Sequence, residues 1–155
     1  MRKHLGKLIL GVTLVLVFGA FLIYRNIDTT IRNSYAQWWV ADMVKVHLSA
    51  NEQRWPKSWD DLRDDYEVCV KRSGRPWTFD ELRSRVVVDW NVDVQSLKAT
   101  PLVHEQVPFR VIWLRDGSSS HWSKHEPNRM IWDYLMQQEQ RQTDTVLSSW
   151  PAPAT

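Results

Sequence analysis

LILGVTLVLVFGAFLI, from Leu8 to Ile23, contains no charged residue. Widened to Leu5–Tyr24, it is about twenty residues, the length of helix that crosses a ~30 Å hydrocarbon core. Lys7 can snorkel to the headgroups and Tyr24 suits the opposite interface. A cleaved signal peptide would need two small residues just past the apolar run. Phe18 and Ala20 put a bulky side chain at the first of these positions, and Ser34 and Ala36 lie too far beyond Ile23. Residues 1–24 are therefore read as an uncleaved transmembrane signal-anchor. Arg2, Lys3, Lys7 and the amino terminus precede the span, while Arg25 and Arg32 follow it. That bias predicts a single-pass protein of the cytoplasmic (inner) membrane, N-terminus inside and the remainder extracytoplasmic.

Beyond the anchor, Ile27, Ile31, Tyr35, Trp38, Trp39, Met43 and Val46 recur at three- and four-residue steps, one apolar face of a helix over about Asp28–Ala50. No Pro or Gly interrupts the chain between Phe21 and Ala50, so this amphipathic helix continues the membrane helix outward. Strands of about six residues reach about 20 Å, whereas this helix extends about 30 Å. Its membrane-proximal turns should then stay uncovered. Ile27, Ile31, Tyr35, Trp38 and Trp39 are the candidate partner-binding residues, for a protein partner or a second copy of the chain.

Further on, PKSWDDLR (Pro56–Arg63) and PWTFDELR (Pro76–Arg83) follow one pattern. Ser58 with Asp61, and Thr78 with Glu81, have the spacing of an N-cap and its reciprocal partner, so each stretch should open a short helix. Tyr66, Val68 and Val70 then alternate with Glu67, Cys69 and Lys71, and Val86, Val88, Trp90, Val92 and Val94 alternate with Val87, Asp89, Asn91 and Asp93. Period two predicts a strand after each helix. The repeat is read as shared helix-start chemistry, with no ligand site. Gln95–Gln106 reads as loop, Phe109–Leu114 as a third strand, Ser118–His125 as polar loop, and Pro127 as the first residue of a last helix with Met130, Ile131, Tyr134 and Leu135 inward. The expected fold is α+β: the long helix, a small three-stranded sheet with short helices, and a C-terminal helix. Residues 25–142 form the extracytoplasmic domain and 143–155 a disordered tail.

Removing Arg2, Lys3 and Lys7 from the 20 lysines and arginines leaves 17 against 18 acids. That near-neutral balance is not the footprint of a nucleic-acid binder. Cys69 is the single cysteine, so no internal disulfide forms. His121 and His125 stand four apart beside Asp116 and Glu126, in a segment that reads as loop. They carry the alternative function, a membrane-tethered metal-assisted hydrolase. His47 and His104 stand alone. The acids Asp60, Asp61, Asp64, Asp65 and Glu67 lack the Asp/Asn alternation and central Gly of a calcium loop. Three of the five glycines lie in the anchor, and neither a phosphate loop nor a G-x-S-x-G turn occurs. No catalytic residue, metal or cofactor is assigned. Of the ten tryptophans, Trp90 and Trp113 are expected in the core. Trp38, Trp39, Trp55, Trp59 and Trp77 form either a seam packed on the long helix or a platform for sugar rings or a partner.

A basic N-terminus, an apolar helix continuing outward as an amphipathic one, then a small sheet, together with HLSANEQRWPKSWDDL (His47–Leu62), resembles type IV pilins and the pseudopilins of type II secretion over roughly the first 65 residues. The resemblance implies a membrane-held structural protein that assembles through its long helix. The chain departs from that family at the cleavage site, where Lys7 follows Gly6, Gly11 stands at the position of the family's Glu, and no Glu precedes Glu52. The function expected is that of an extracytoplasmic binding or assembly protein.

Overall fold

A computed structural model describes residues 2–74, 77–101, 107, 109–119 and 126–148, and the side chains of all of these except 2–10, 146 and 147. Helix α1 runs unbroken from Arg2 to Ala50, 49 residues, or about 74 Å at 1.5 Å per residue. Its two ends live in different surroundings. Val12, Leu14–Phe18 and Phe21–Tyr24 are all exposed, and this is the one helix among the described residues long and apolar enough to cross a membrane. From Asn33 onward the helix enters the core. Ser34, Gln37, Ala41, Val44 and Leu48 form one buried seam, and Asn33, Ala36, Val40, Met43 and His47 the seam beside it. Steps of three and four make each seam continuous.

Against α1 pack α2 (Arg63–Cys69), α3 (Phe79–Arg85), β1 (Val86–Val88), β2 (Ile112–Leu114) and α5 (Pro127–Ser148), with α4 (Val94–Ala99) against α5. The strands pair antiparallel, Val86 opposite Leu114 and Val88 opposite Ile112. Leu62, Leu82, Ile112, Leu114, Ile131 and Leu135 complete the core. Two side chains bolt β2 in place. Gln37 Nε2 donates to Ile112 O at 3.0 Å. Asn128 Oδ1 accepts from the N–H groups of Val111 and Ile112 at 2.8 and 2.9 Å, while its Nδ2 donates to Ile112 O at 3.1 Å. Glu126 caps α5 by accepting from Arg129 N, and Pro127 takes the first helical position as predicted.

The fold is mostly helical, with a two-stranded sheet in place of the expected three strands. The strand read at Tyr66–Val70 is helix α2 and the 3-10 turn that follows. Leu62, Tyr66 and Val70 stand four apart and share one helical face, while Val68, which a strand would turn inward with them, is 45% exposed. The strand read at Val86–Val94 stops at Val88. Asp89 Oδ1 accepts from Asn91 N, turning the chain, and Asp93 then caps α4 through Gln95 N, so the expected loop begins as a helix. Only Ile112–Leu114 of Phe109–Leu114 is strand. Trp90 and Trp113 are half-buried rather than central. The tail read from Thr143 is helical as far as Ser148.

The two matching octets also separate. Thr78 forms the full capping box with Glu81. Ser58 caps nothing: its hydroxyl lies 3.5 Å from Asp61 Oδ1, whose other oxygen accepts from Lys57 N. The first turn there is a 3-10 turn, Asp60–Leu62, with no side-chain cap.

Candidate functional site

Ile27, Ile31 and Tyr35 are 52%, 48% and 41% exposed and follow one another up the same face of α1, with Trp38 above them. Trp39, one step round, packs against the core and meets Trp38 edge-on at a centroid distance of 4.7 Å. Met43 leaves the face for the core and Val46 is half-buried. At 100° per residue Met43 lies about 80° from Tyr35, so the single predicted face divides in two. The larger side chains of its lower part stay outside, and the seams of small and polar residues go in.

Beside the stripe, a polar network locks the domain onto α1. Arg32 Nη2 pairs with Glu81 Oε1 at 3.1 Å. Arg85 Nη1 donates to Asn33 Oδ1, and Asn33 Nδ2 donates to Asp116 Oδ2, both at 2.7 Å. The Arg32 and Arg85 guanidinium groups lie 5.4 and 5.9 Å from the centroid of Trp77, a cation–π arrangement. Hydrogen bonds from Ser118, with a further one from Asn33, hold the Asp116 carboxyl below the usual range. The network ties α1 to α3 and to the turn after β2, while Arg32 Nε and Arg85 Nε stay buried without a hydrogen-bond partner.

Higher on α1, His47 Nδ1 lies 3.0 Å from Asp65 Oδ2, both residues buried, with Asn51 Nδ2 at 3.3 Å from the same nitrogen. Burial pushes the Asp65 carboxyl up, and the bond to His47 partly offsets that. Cys69 Sγ donates to Asp65 O, and burial, with Asp42 and Asp65 near, pushes its thiol up to about 12. A thiol so held stays protonated and is no nucleophile. The pair borders a cleft of about 640 Å³ that Asp61 and Asp64 also line. Neither His47 nor Asp65 carried a signal in the sequence, since eighteen positions separate them.

A second cleft, about 850 Å³, opens where α1 ends, between the Trp90–Gln95 segment and α5. Trp55 lines both clefts; it is buried, and its Nε1 donates to Asp89 O at 2.7 Å. Trp59, Phe79, Trp90 and Tyr66 meet edge-to-face in a chain of rings packed on the core. The aromatic set is thus mainly a packed seam, with Trp55 and Trp90 reaching a cleft. His121 and His125 lie outside the described residues, as does His104. Among the described residues no three His, Cys, Asp or Glu side chains stand together as metal ligands.

No protein-family model matches the chain, and no curated protein or solved structure matches it.

Proposed function

We propose that the chain is a membrane-anchored extracytoplasmic scaffold, single-pass with its N-terminus in the cytoplasm, that associates with a second copy of itself through the lower face of α1. One observation carries the reading. The described apolar side chains of α1 from Val12 to Tyr24 are exposed, and the same helix then offers Ile27, Ile31 and Tyr35 to solvent before it enters the core. A stripe of that kind just above the headgroups suits a neighbouring helix, and a pilin-like assembly would use it so.

Single cysteines at Ile27, Ile31 or Arg32, with Cys69→Ser, test this in native membranes. Ile27→Cys and Ile31→Cys should give disulfide-linked dimers on mild oxidation. Arg32→Cys should not, because Arg32 is turned toward Glu81 and Trp77 of its own domain. Equal crosslinking at all three positions, or none at any, would remove the assembly reading. Labelling the same cysteines with a membrane-impermeant maleimide in whole cells reads the topology separately.

A further inference from the structure

We propose that the 850 Å³ cleft at the far end of α1 binds a neutral oligosaccharide. Its volume lies in the range of small-molecule sites. The lining combines aromatic surface, from half-buried Trp90 and Tyr134, with the carboxamides of Asn91, Gln95, Gln138 and Gln142. Among the described residues none of those four carboxamides has a hydrogen-bond partner. Each offers two donors and an acceptor, which is what sugar hydroxyls, themselves donors and acceptors, require. The apolar C–H face of a pyranose needs the flat aromatic surface.

Several charged groups of the lining make hydrogen bonds within the chain. Lys98 donates to Gln53 Oε1, Asp93 accepts from Gln95 N and Ser96, and Arg54 holds Asn51 O beside Glu52. The lining is close to charge balance, with Arg54, Lys57 and Lys98 against Glu52 and Asp93, too few cations for a nucleic acid. Two further features gather at the same place. Glu52 and Gln53, at the rim, both have positive φ, 54° and 60°. These residues close the C-terminus of α1, where Gln53 N donates to Leu48 O at 2.9 Å and a left-handed backbone is usual. Past Met136 the described side chains of α5 are mostly exposed, and Gln138 and Gln142 line the cleft wall.

Leu48 lies twenty-four residues beyond Tyr24, so α1 holds the cleft about 36 Å from the interface. That such a glycan would be extracytoplasmic rests on the topology proposed above; the binding itself does not. The test is calorimetric titration of the full chain, in non-ionic micelles whose detergent carries no sugar headgroup. The probes are the hexamer of N-acetylglucosamine, maltohexaose and an uncharged Ala/Gly hexapeptide. At least one oligosaccharide should bind saturably in the sub-millimolar range. The double variant Gln138→Ala/Gln142→Ala should weaken that binding about tenfold or more with unchanged circular dichroism and thermal midpoint. Trp90→Ala should abolish it, but that ring also supports Trp59, so the glutamine pair is the decisive variant. No saturable oligosaccharide binding at millimolar concentration, unaltered binding in the double variant, or preference for the peptide would each overturn the proposal. Micelle titration is blind to topology, so failure here and failure of the scaffold reading are seen in different experiments.

Discussion

Asn128 offers the sharpest stability test because its carboxamide does the work of a missing strand. It accepts from two adjacent backbone N–H groups on β2, donates to Ile112 O, and donates to Glu126 Oε1 at 2.6 Å. Its orientation is not in doubt, since two N–H donors require an oxygen. In Asn128→Ala, Ile112 O keeps its bond from Gln37. The N–H groups of Val111 and Ile112 lose their partner in residues that are 4% and 0% exposed. Each orphaned buried donor costs about 1–3 kcal/mol, and partial access of water lowers the sum, so a loss of about 3 kcal/mol is expected. That is a large share of the ~5–15 kcal/mol of an ordinary domain. Urea unfolding of the full chain in micelles, followed by near-ultraviolet circular dichroism of the tryptophans, measures it. Asn128→Asp keeps the acceptor but sets a carboxylate against Glu126. It should be destabilising at neutral pH and recover about 1 kcal/mol when combined with Glu126→Gln. A loss below about 1 kcal/mol in Asn128→Ala would show that the two N–H groups are satisfied by something else, and the bolt between α5 and β2 would fall.

The two octets should respond differently: Thr78→Ala should cost about 1 kcal/mol, the usual worth of an N-cap, and Ser58→Ala only a few tenths. Equal losses in urea titrations would contradict the geometry of the first octet. Burial holds the folded-state pKa of Asp65 above the ordinary aspartate value, so its contribution is most favourable below that ordinary value and is lost as pH rises through the folded one. Relative to wild type, Asp65→Asn should therefore gain stability between acid and neutral pH; a pH-independent difference would refute this. Cys69, with its thiol near 12, should resist maleimide at pH 8 in the native chain and react at once in denaturant, and rapid native labelling would count against its burial.

The parts of the fold legible in the sequence are those set by local chemistry. An uncharged run, the absence of Pro and Gly from Phe21 to Ala50, the Thr78–Glu81 pair and Pro127 each marked an element that the chain forms. The errors arose where tertiary packing chooses between two permitted patterns. Over five residues, Tyr66–Val70 alternates like a strand yet, counted from Leu62, also steps by four like a helix; burial of Leu62 and Val70 decided for the helix. On α1 the larger apolar side chains drew attention to Ile27 and Tyr35. The buried seam instead runs through the small and polar residues Ser34, Gln37 and Ala41, of which Gln37 bonds to β2. The clefts were invisible for a plainer reason. Trp90, Gln138 and Glu52 meet only because three distant segments converge, and none carries a local spacing that announces the others.

An uninterrupted α1 has a mechanical meaning. It has no hinge, so the domain cannot reorient unless the apolar segment does. Treated as a lever of about 74 Å, the helix sweeps its far end by about 25 Å when its inclination changes by about 20°. It also transmits rotation about its own axis, because the domain is keyed to it through Asn33, Gln37 and His47. Leu48, on the wall of the larger cleft, lies about 140° round the helix from Tyr35 at 100° per residue. Two copies joined along the exposed stripe would therefore carry their clefts on outward-turned sides, and a twist applied to one rod would redirect both.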